Sequence, residues 1–168
     1  MNQSTSTAKR QRIPARLIFT DFWCWLGFGF GSGLSPVAPG TLGTLAALPL
    51  YAWLSTLSLT GYVAIVLLLF ALGILICQKS EERLGISDHS GIVWDEIVGY
   101  LVTMTAVPFT WPAAALGFAL FRLFDILKPW PIRHFDRTVH GGFGIMLDDV
   151  LAGVLAAACL QLARPWLA

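Results

Sequence analysis

Charge is what this 168-residue chain has least of: Asp, Glu, Lys and Arg make up 12% of it, against 56% hydrophobic residues. Soluble globular domains carry about 25% charged residues. A water-facing surface built from this composition would be largely apolar and prone to aggregate. Composition therefore argues against a soluble enzyme and excludes a disordered chain. Neither sign of charge dominates, the formal net charge being +1. That implies no polyanionic partner and excludes nucleic-acid binding. Cysteine is also scarce. Cys24, Cys77 and Cys159 are too widely spaced for a disulfide framework or a clustered zinc site. Cys24 and Cys159 lie in apolar sequence and read as packing residues. Cys77 and Arg83 have the Cys-x5-Arg spacing of a cysteine phosphatase, but no glycine lies between them and Glu81 and Glu82 would repel a phosphate. A nucleophilic thiolate needs an electropositive surround, so Cys77 is read as a helix-end residue. No GK[ST] Walker motif, DxDxT-type aspartyl nucleophile or internal repeat is present.

The places where charge is missing organise the chain. Phe22–Gln78, Ile97–Phe121 and Val150–Ala163 contain no Asp, Glu, Lys or Arg. A spanning helix needs roughly 20 mostly apolar residues, so these blocks are the membrane candidates. Residues 1–13 read as a flexible tail of Ser, Thr and Gln leading into a basic juxtamembrane stretch, Lys9, Arg10, Arg12 and Arg16, with no cleavable signal pattern. Residues 14–168 then form a single membrane-embedded domain.

Six glycines and two prolines between Gly27 and Gly43 break the first neutral block. The pattern predicts an interfacial helix from Pro14 to about Phe30, a loop over Gly31–Gly40, and a helix capped by Thr41 running to about Leu57. After a turn at Ser58–Gly61 the chain returns over Tyr62–Cys77. Each limb covers roughly 24 Å, slightly short of the apolar core of a bilayer. In the second block, Pro108 and Pro112 predict a turn between Ile92–Val107 and Trp111–Lys128. A final helix is expected from Ile145 to about Leu162, ending near Pro165 and Trp166. The seven tryptophans read mainly as interface anchors. The expected fold is all-α: an integral bundle of about six helices, made of two helical hairpins, a final spanning helix and the N-terminal interfacial helix. This arrangement puts ten of the eleven Lys and Arg on one side, with Arg164 opposite. The positive-inside rule makes that side cytoplasmic.

Two polar islands carry the chemistry: Asp88–Gly99 (DHSGIVWDEIVG) and Phe121–Gly153. Ionisable groups abutting membrane helices are expensive and are functional candidates by default. Asp95 and Glu96 open one apolar helix, and Asp148 and Asp149 another. One pair alone is as readily explained by the helix macrodipole. Two pairs on one membrane face favour a metal or substrate site, since four facing carboxylates repel unless a cation lies among them. Hard divalent ions, chiefly Mg²⁺, take such oxygen ligands. Arg122, Asp125 and Lys128 follow an i, i+3, i+6 stripe, and Arg133 and Arg137 come after Pro129 and Pro131. They read either as a phosphate clamp or as salt bridges and headgroup contacts. Their mixture with metal-type carboxylates fits phosphoryl chemistry. The glycine-rich stretches around Gly31–Gly40 and Gly141–Gly144 are either anion-binding backbone or tight turns. Asp88 is placed to join the carboxylates. His89 reads as a solvated loop residue, a proton shuttle or a ligand. His134 and His140 read as loop or interface residues.

The segments GFGSGLSPVAPGTLGTLAALP, IVWDEIVG, FRLFDILKPWPIRHFDR and HGGFGIMLDDVLAG, in that order, resemble the bacterial phosphatidylglycerophosphatase A family over about Leu26–Ala157. The resemblance implies an all-helical fold and a Mg²⁺-dependent, multi-pass lipid phosphatase of the inner membrane. It implies hydrolysis of phosphatidylglycerophosphate to phosphatidylglycerol and phosphate, and a phospholipid substrate in the bilayer. The matching acidic residues are Asp88, Asp95, Glu96, Asp125, Asp148 and Asp149, with Lys128 and Arg133 as basic companions. The resulting expectation has Mg²⁺ on Asp95, Glu96, Asp148 and Asp149. Asp88, Asp95 and Asp149 are catalytic, and Arg122, Asp125, Lys128 and Arg133 contact substrate. A small ion-coupled transporter is the alternative, since intramembrane carboxylates and broken helices suit that role too. Gathering of the charges at one face counts against it. A non-catalytic scaffold for anionic lipid leaves the acidic pairs unexplained.

Overall fold

The computed structural model describes residues 13–164. The expected tail, residues 1–12 of it, and the predicted end of the last helix near Pro165 lie outside that range. The described residues form helices and connecting turns, with no strand.

The N-terminal segment is two short helices, α1 (Ala15–Thr20) and α2 (Phe22–Gly27), where one helix was predicted. Asp21 causes the break. Its Oδ1 accepts from the backbone N–H groups of Trp23 and Cys24, both at 3.0 Å, and so caps a new helix. A 3₁₀ segment follows over Gly29–Leu34, with Phe30 and Gly31 at positive φ. Helix α3 (Pro39–Leu54) starts two residues before the predicted Thr41 cap, because Pro39 occupies its first turn.

Helix α4 (Leu59–Leu84) is much longer than the predicted Tyr62–Cys77. Ser58 Oγ accepts from Gly61 N–H at 3.2 Å and caps it. Gly85, at φ 65°, ends it in the left-handed conformation. The apolar run stops near Cys77, but nothing there stops the helix, which carries on through the polar sequence QKSEERL. Its 26 residues reach roughly 39 Å, enough to cross a bilayer.

The second neutral block divides into α5 (Trp94–Thr103) and α6 (Trp111–Leu127). Helix α5 is shorter than Ile92–Val107. Val93 N–H is spent on Gly27 O, and consecutive tight turns from Val102 to Val107 with Ala106 at φ 61° close its other end. A further helix, α7 (Ile132–Thr138), was not predicted. The last helix, α8, runs Gly141–Ala163 and starts four residues earlier than Ile145. Gly141, Gly142 and Gly144 are its first turn, not a loop ahead of it.

Helix α8 is the hub and packs on α4, α5, α6 and α7. Its contact with α5 runs through glycine. A Cβ on Gly153 would lie 2.5 Å from Gly99 O, and one on Gly99 would lie 2.8 Å from Asp149 O. Thr103 Oγ1 sits in the same seam, within 3.0 Å of Gly99 O. Small residues allow this backbone-to-backbone approach, as in membrane bundles. At one end of the bundle, Tyr51 OH donates to Val107 O and Pro108 O, and Arg164 donates to Ala106 O. The polar islands lie at the other end. Helices α4 and α8 are both long and apolar enough to cross a membrane. On α4, Leu67, Leu68 and Leu75 turn outward, each more than half exposed.

Candidate active site

The α5–α8 contact sets two acidic pairs facing each other. Asp95 and Glu96 lie in the first turn of α5, and Asp148 and Asp149 lie two turns into α8. The macrodipole can account for the first pair but not the second, which is too far from its helix end. One oxygen each from Asp95, Glu96 and Asp149 falls within 4.8 Å of the others. Adjacent residues on a helix point about 100° apart, yet the longer Glu96 side chain brings its carboxylate round to meet Asp95. Asp95 Oδ1, Glu96 Oε2, Asp148 Oδ1 and Asp149 Oδ2 are buried without a hydrogen-bond partner among the described residues. Unpaired buried carboxylate oxygens are costly. An all-oxygen donor set with lone pairs to spare fits a hard divalent cation of the Mg²⁺ or Ca²⁺ type.

Cations border the cluster on two sides. Arg122 Nη1 is 2.6 Å from Asp125 Oδ2 and 3.8 Å from Glu96 Oε1. Lys128 ends α6 in the left-handed conformation, which swings its side chain toward α8. Its ammonium donates to Asp148 Oδ2 and, at 2.6 Å, to Asp136 Oδ1. Burial disfavours the charged ammonium, but Asp148 and Asp136 overcome this and hold its pKa above the ordinary lysine value. Asp148 is turned to this lysine, while Asp95, Glu96 and Asp149 form the tighter group.

These groups line one cavity of about 240 Å³ that also takes in Asp88, His89 and Gly40. Gly40 is buried in the first turn of α3. A side chain there would run into Glu96 Oε1 and come within 2.9 Å of Arg122 Nη1. Of the residues predicted for the site, Asp88, Asp95, Glu96, Arg122, Asp125, Lys128, Asp148 and Asp149 line this cavity. Arg133 does not. It is exposed on α7 and donates to Leu127 O at 3.2 Å. Cys77 is fully buried with its Sγ 3.8 Å from Met146 Sδ, and Arg83 pairs with Asp21, so the Cys-x5-Arg spacing builds nothing. Burial pushes the Cys24 thiol up to about 11, which suits a packing residue.

Sequence reasoning missed Asp136 and left Gly40 and His89 open between alternatives. Asp136 reaches Lys128 only because the chain turns back between α6 and α7, and its spacing of eight residues gives no signal. Gly40 was visible only as one glycine among six. Of the three readings of His89, a solvated loop residue, a proton shuttle or a ligand, the first does not hold: it is 6% exposed, its ring stacks on Phe28 at 5.6 Å, and its Nδ1 accepts from Gly91 N–H at 3.0 Å.

The phosphatidylglycerophosphatase A family profile matches residues 25–164. Phosphatidylglycerophosphatase A of Escherichia coli (strain K12) is 46% identical over 147 residues, covering 87% of this chain and 86% of that protein. Phosphatidylglycerophosphatase A of Haemophilus influenzae is 46% identical over 144 residues, covering 84% and 88%. No solved structure matches the chain.

Proposed function

Because the chain belongs to the phosphatidylglycerophosphatase A family, we propose that it hydrolyses phosphatidylglycerophosphate to phosphatidylglycerol and inorganic phosphate. One observation carries this reading. Three carboxylates able to hold a cation share a cavity with a half-buried arginine and with a lysine paired to Asp148 and Asp136. Residues 14–168 act as one membrane-embedded unit, multi-pass in the bacterial inner membrane. The site faces the cytoplasm, the side that the positive-inside rule assigns to the basic end. The acyl chains stay in the bilayer and the headgroup enters the cavity, which explains why a hydrolase has so apolar a sequence. Clustering of charge at one end gives no support to a transporter.

Asp95, Glu96 and Asp149 hold Mg²⁺, with Asp148 beside them. When bound, the ion supplies Lewis-acid neutralisation of the phosphoryl charge. Arg122 and Lys128 face the equatorial oxygens and offset charge as the bond to glycerol breaks. Asp125 orients Arg122, and Asp136 and Asp148 orient Lys128. Asp88, exposed at the mouth, serves as general acid or base. Arg133 attracts the anionic headgroup from outside the cavity.

The first test is phosphate release from phosphatidylglycerophosphate by the purified protein in detergent, with Mg²⁺ and with chelator. Release is expected only with Mg²⁺. Equal release in chelator overturns the metal assignment, and none in either condition overturns the phosphatase. A second expectation separates the two arginines. Arg122→Ala lowers kcat by about 10²-fold or more, as loss of a charge-stabilising donor does. Arg133→Ala leaves kcat within about 3-fold and acts on KM alone. Equal kcat losses would place Arg133 on the phosphoryl group after all.

A further inference from the structure

The carboxylate cavity is small. Its volume of about 240 Å³ falls below the ~300–1,000 Å³ of a usual ligand site, so it takes a phosphoryl group and an ion but not a whole lipid headgroup. A cavity of about 670 Å³ lies beside it, lined largely by apolar residues such as Ile13, Phe28, Leu34 and Val37. The two share a wall, because Ala38, Pro39, His89 and Ser90 border both. Charge divides them. Asp, Glu, Arg and Lys side chains line the smaller cavity, whereas among the described residues none of those four types lines the larger one. A phosphomonoester dianion would have no countercharge in the larger cavity and would be costly to bury there. An uncharged portion of the same molecule meets no such cost.

Close contacts fix the walls of the larger cavity. A Cβ on Gly33 would lie 2.0 Å from Gly91 O, and one on Gly91 would meet the Phe28 ring at 2.4 Å. The 3₁₀ segment and the chain ahead of α5 therefore touch backbone to backbone, with Phe28 against them. Past Leu34, Ser35 Oγ donates to Val37 O at 2.7 Å and accepts from Val37 N–H at 3.3 Å, which fixes the turn that carries Val37. Val37 is nonetheless 75% exposed, an apolar side chain left uncovered at the rim. A site built in advance loses less to ordering when its ligand binds.

Resting on the phosphatase reading, the geometry points to the larger cavity as the subsite for the glycerol and adjoining lipid portion of the substrate, and to Val37 at its rim as a residue that favours a lipid phosphomonoester over a small one. The scissile phosphoryl group sits among Arg122, Lys128 and the carboxylates. The linking glycerol is uncharged and crosses the shared wall beside Ala38 and Pro39. The phosphodiester beyond it keeps its single charge hydrated at the rim, where Pro36, Val37 and Ala38 are exposed. The acyl-bearing glycerol rests against Val37. Inorganic phosphate fills the smaller cavity alone and gains nothing from its neighbour.

The test uses the full-length protein in detergent with Mg²⁺. Val37→Cys is alkylated with a maleimide, and the adduct at position 37 is followed by peptide mass, the native Cys24 and Cys77 being buried. The probes are a non-hydrolysable phosphonate analogue of phosphatidylglycerophosphate and inorganic phosphate. Because a ligand site covers most of its ligand's surface, the analogue is expected to slow labelling about 10-fold and inorganic phosphate by less than about 2-fold. Leu59→Cys, on the far end of α4 and 55% exposed, is the control and should label alike in all conditions. Kinetics give a second reading from opposite sides of the cavity. Val37→Trp and Ala15→Trp, both at exposed lining positions, are expected to raise KM for the lipid about 10-fold with kcat within about 3-fold. Equal slowing by inorganic phosphate overturns the inference, as does an unchanged KM in both tryptophan variants. Phosphate release by the unaltered protein is run alongside. No release sinks the phosphatase reading and this inference with it. Normal release with no protection of position 37 by the analogue sinks this inference alone. Labelling that slows only as protein concentration rises assigns the cavity to a second copy of the chain and likewise overturns it.

Discussion

Asp149→Asn is expected to remove phosphate release, by about 10³-fold or more, while leaving the purified protein at least as stable in chelator as the unaltered chain. The two halves come from one cause. Three carboxylate oxygens, from Asp95, Glu96 and Asp149, lie within 4.8 Å of one another, and Asp149 is buried with no hydrogen-bond partner for Oδ2 among the described residues. At an effective dielectric of about 20, two like charges at that distance repel by roughly 3.5 kcal/mol. Asparagine keeps the shape, removes a charge and adds an N–H₂ that the neighbouring carboxylates can accept from. Without a divalent ion, the melting temperature should hold or rise by a few degrees. With Mg²⁺, the unaltered protein should gain stability by mass action on its folded state, and Asp149→Asn should lose most of that gain. Asp95→Asn should behave the same way. A merely structural carboxylate gives the opposite stability result, since its removal would unsatisfy partners. The measurements are phosphate release and thermal unfolding in chelator and in Mg²⁺. Near-normal turnover in both variants would sink the carboxylate cluster as the reacting centre.

Much of this site was legible because charge is rare in the chain. With long stretches carrying none, the few carboxylates and cations had to fall in the polar islands, and eight of the predicted residues line one cavity. The glycine- and proline-rich breaks likewise divided the neutral blocks. What stayed hidden depended on geometry that hydropathy does not carry. Helix α4 continues past its apolar run because capping by Gly85, not polarity, ends it. Helix α1 stops at Asp21 because a carboxylate there serves the next helix. The first-turn glycines of α8 look like a loop in sequence, but they let the helix start close to its neighbour: a Cβ on Gly142 would lie 2.7 Å from Gln78 N. Arg133 shares a motif with Lys128 and is five residues away, yet α7 turns it outward. His89 shows no partner at helical spacing. Its partner Phe28 is 61 residues away by number, brought near by the α2–3₁₀ segment.

Gly153→Leu should be strongly damaging, costing the protein both stability and turnover. The Gly153 Cβ position is 2.5 Å from Gly99 O and 3.1 Å from Val102 Cβ. The first obstacle is backbone, so no rotamer change can relieve it. Leucine can be accommodated only if α5 and α8 separate. Overpacking of this kind costs roughly 1–3 kcal/mol for a methylene or two and more for a whole side chain. The consequence reaches the chemistry because Asp149 is one turn before Gly153 on α8, while Asp95 and Glu96 ride on α5. Helices pushed apart pull the carboxylate oxygens out of reach of a common ion, so Mg²⁺ affinity should fall before the fold is lost. Gly153→Ala should show this in milder form, about 10-fold in turnover with a rise in the Mg²⁺ concentration needed for half-maximal rate. Gly85→Ala is the control. It meets nothing within 4 Å, but φ is 65° there, so it carries backbone strain of about 1 kcal/mol and no crowding. It should lower the melting temperature slightly and leave both turnover and Mg²⁺ dependence unchanged. Unfolding and Mg²⁺ titration of phosphate release across the three variants decide between seam and site. A Gly153→Leu protein with unchanged melting and unchanged Mg²⁺ dependence would mean that the α5–α8 glycine contact does not set the distance between the acidic pairs.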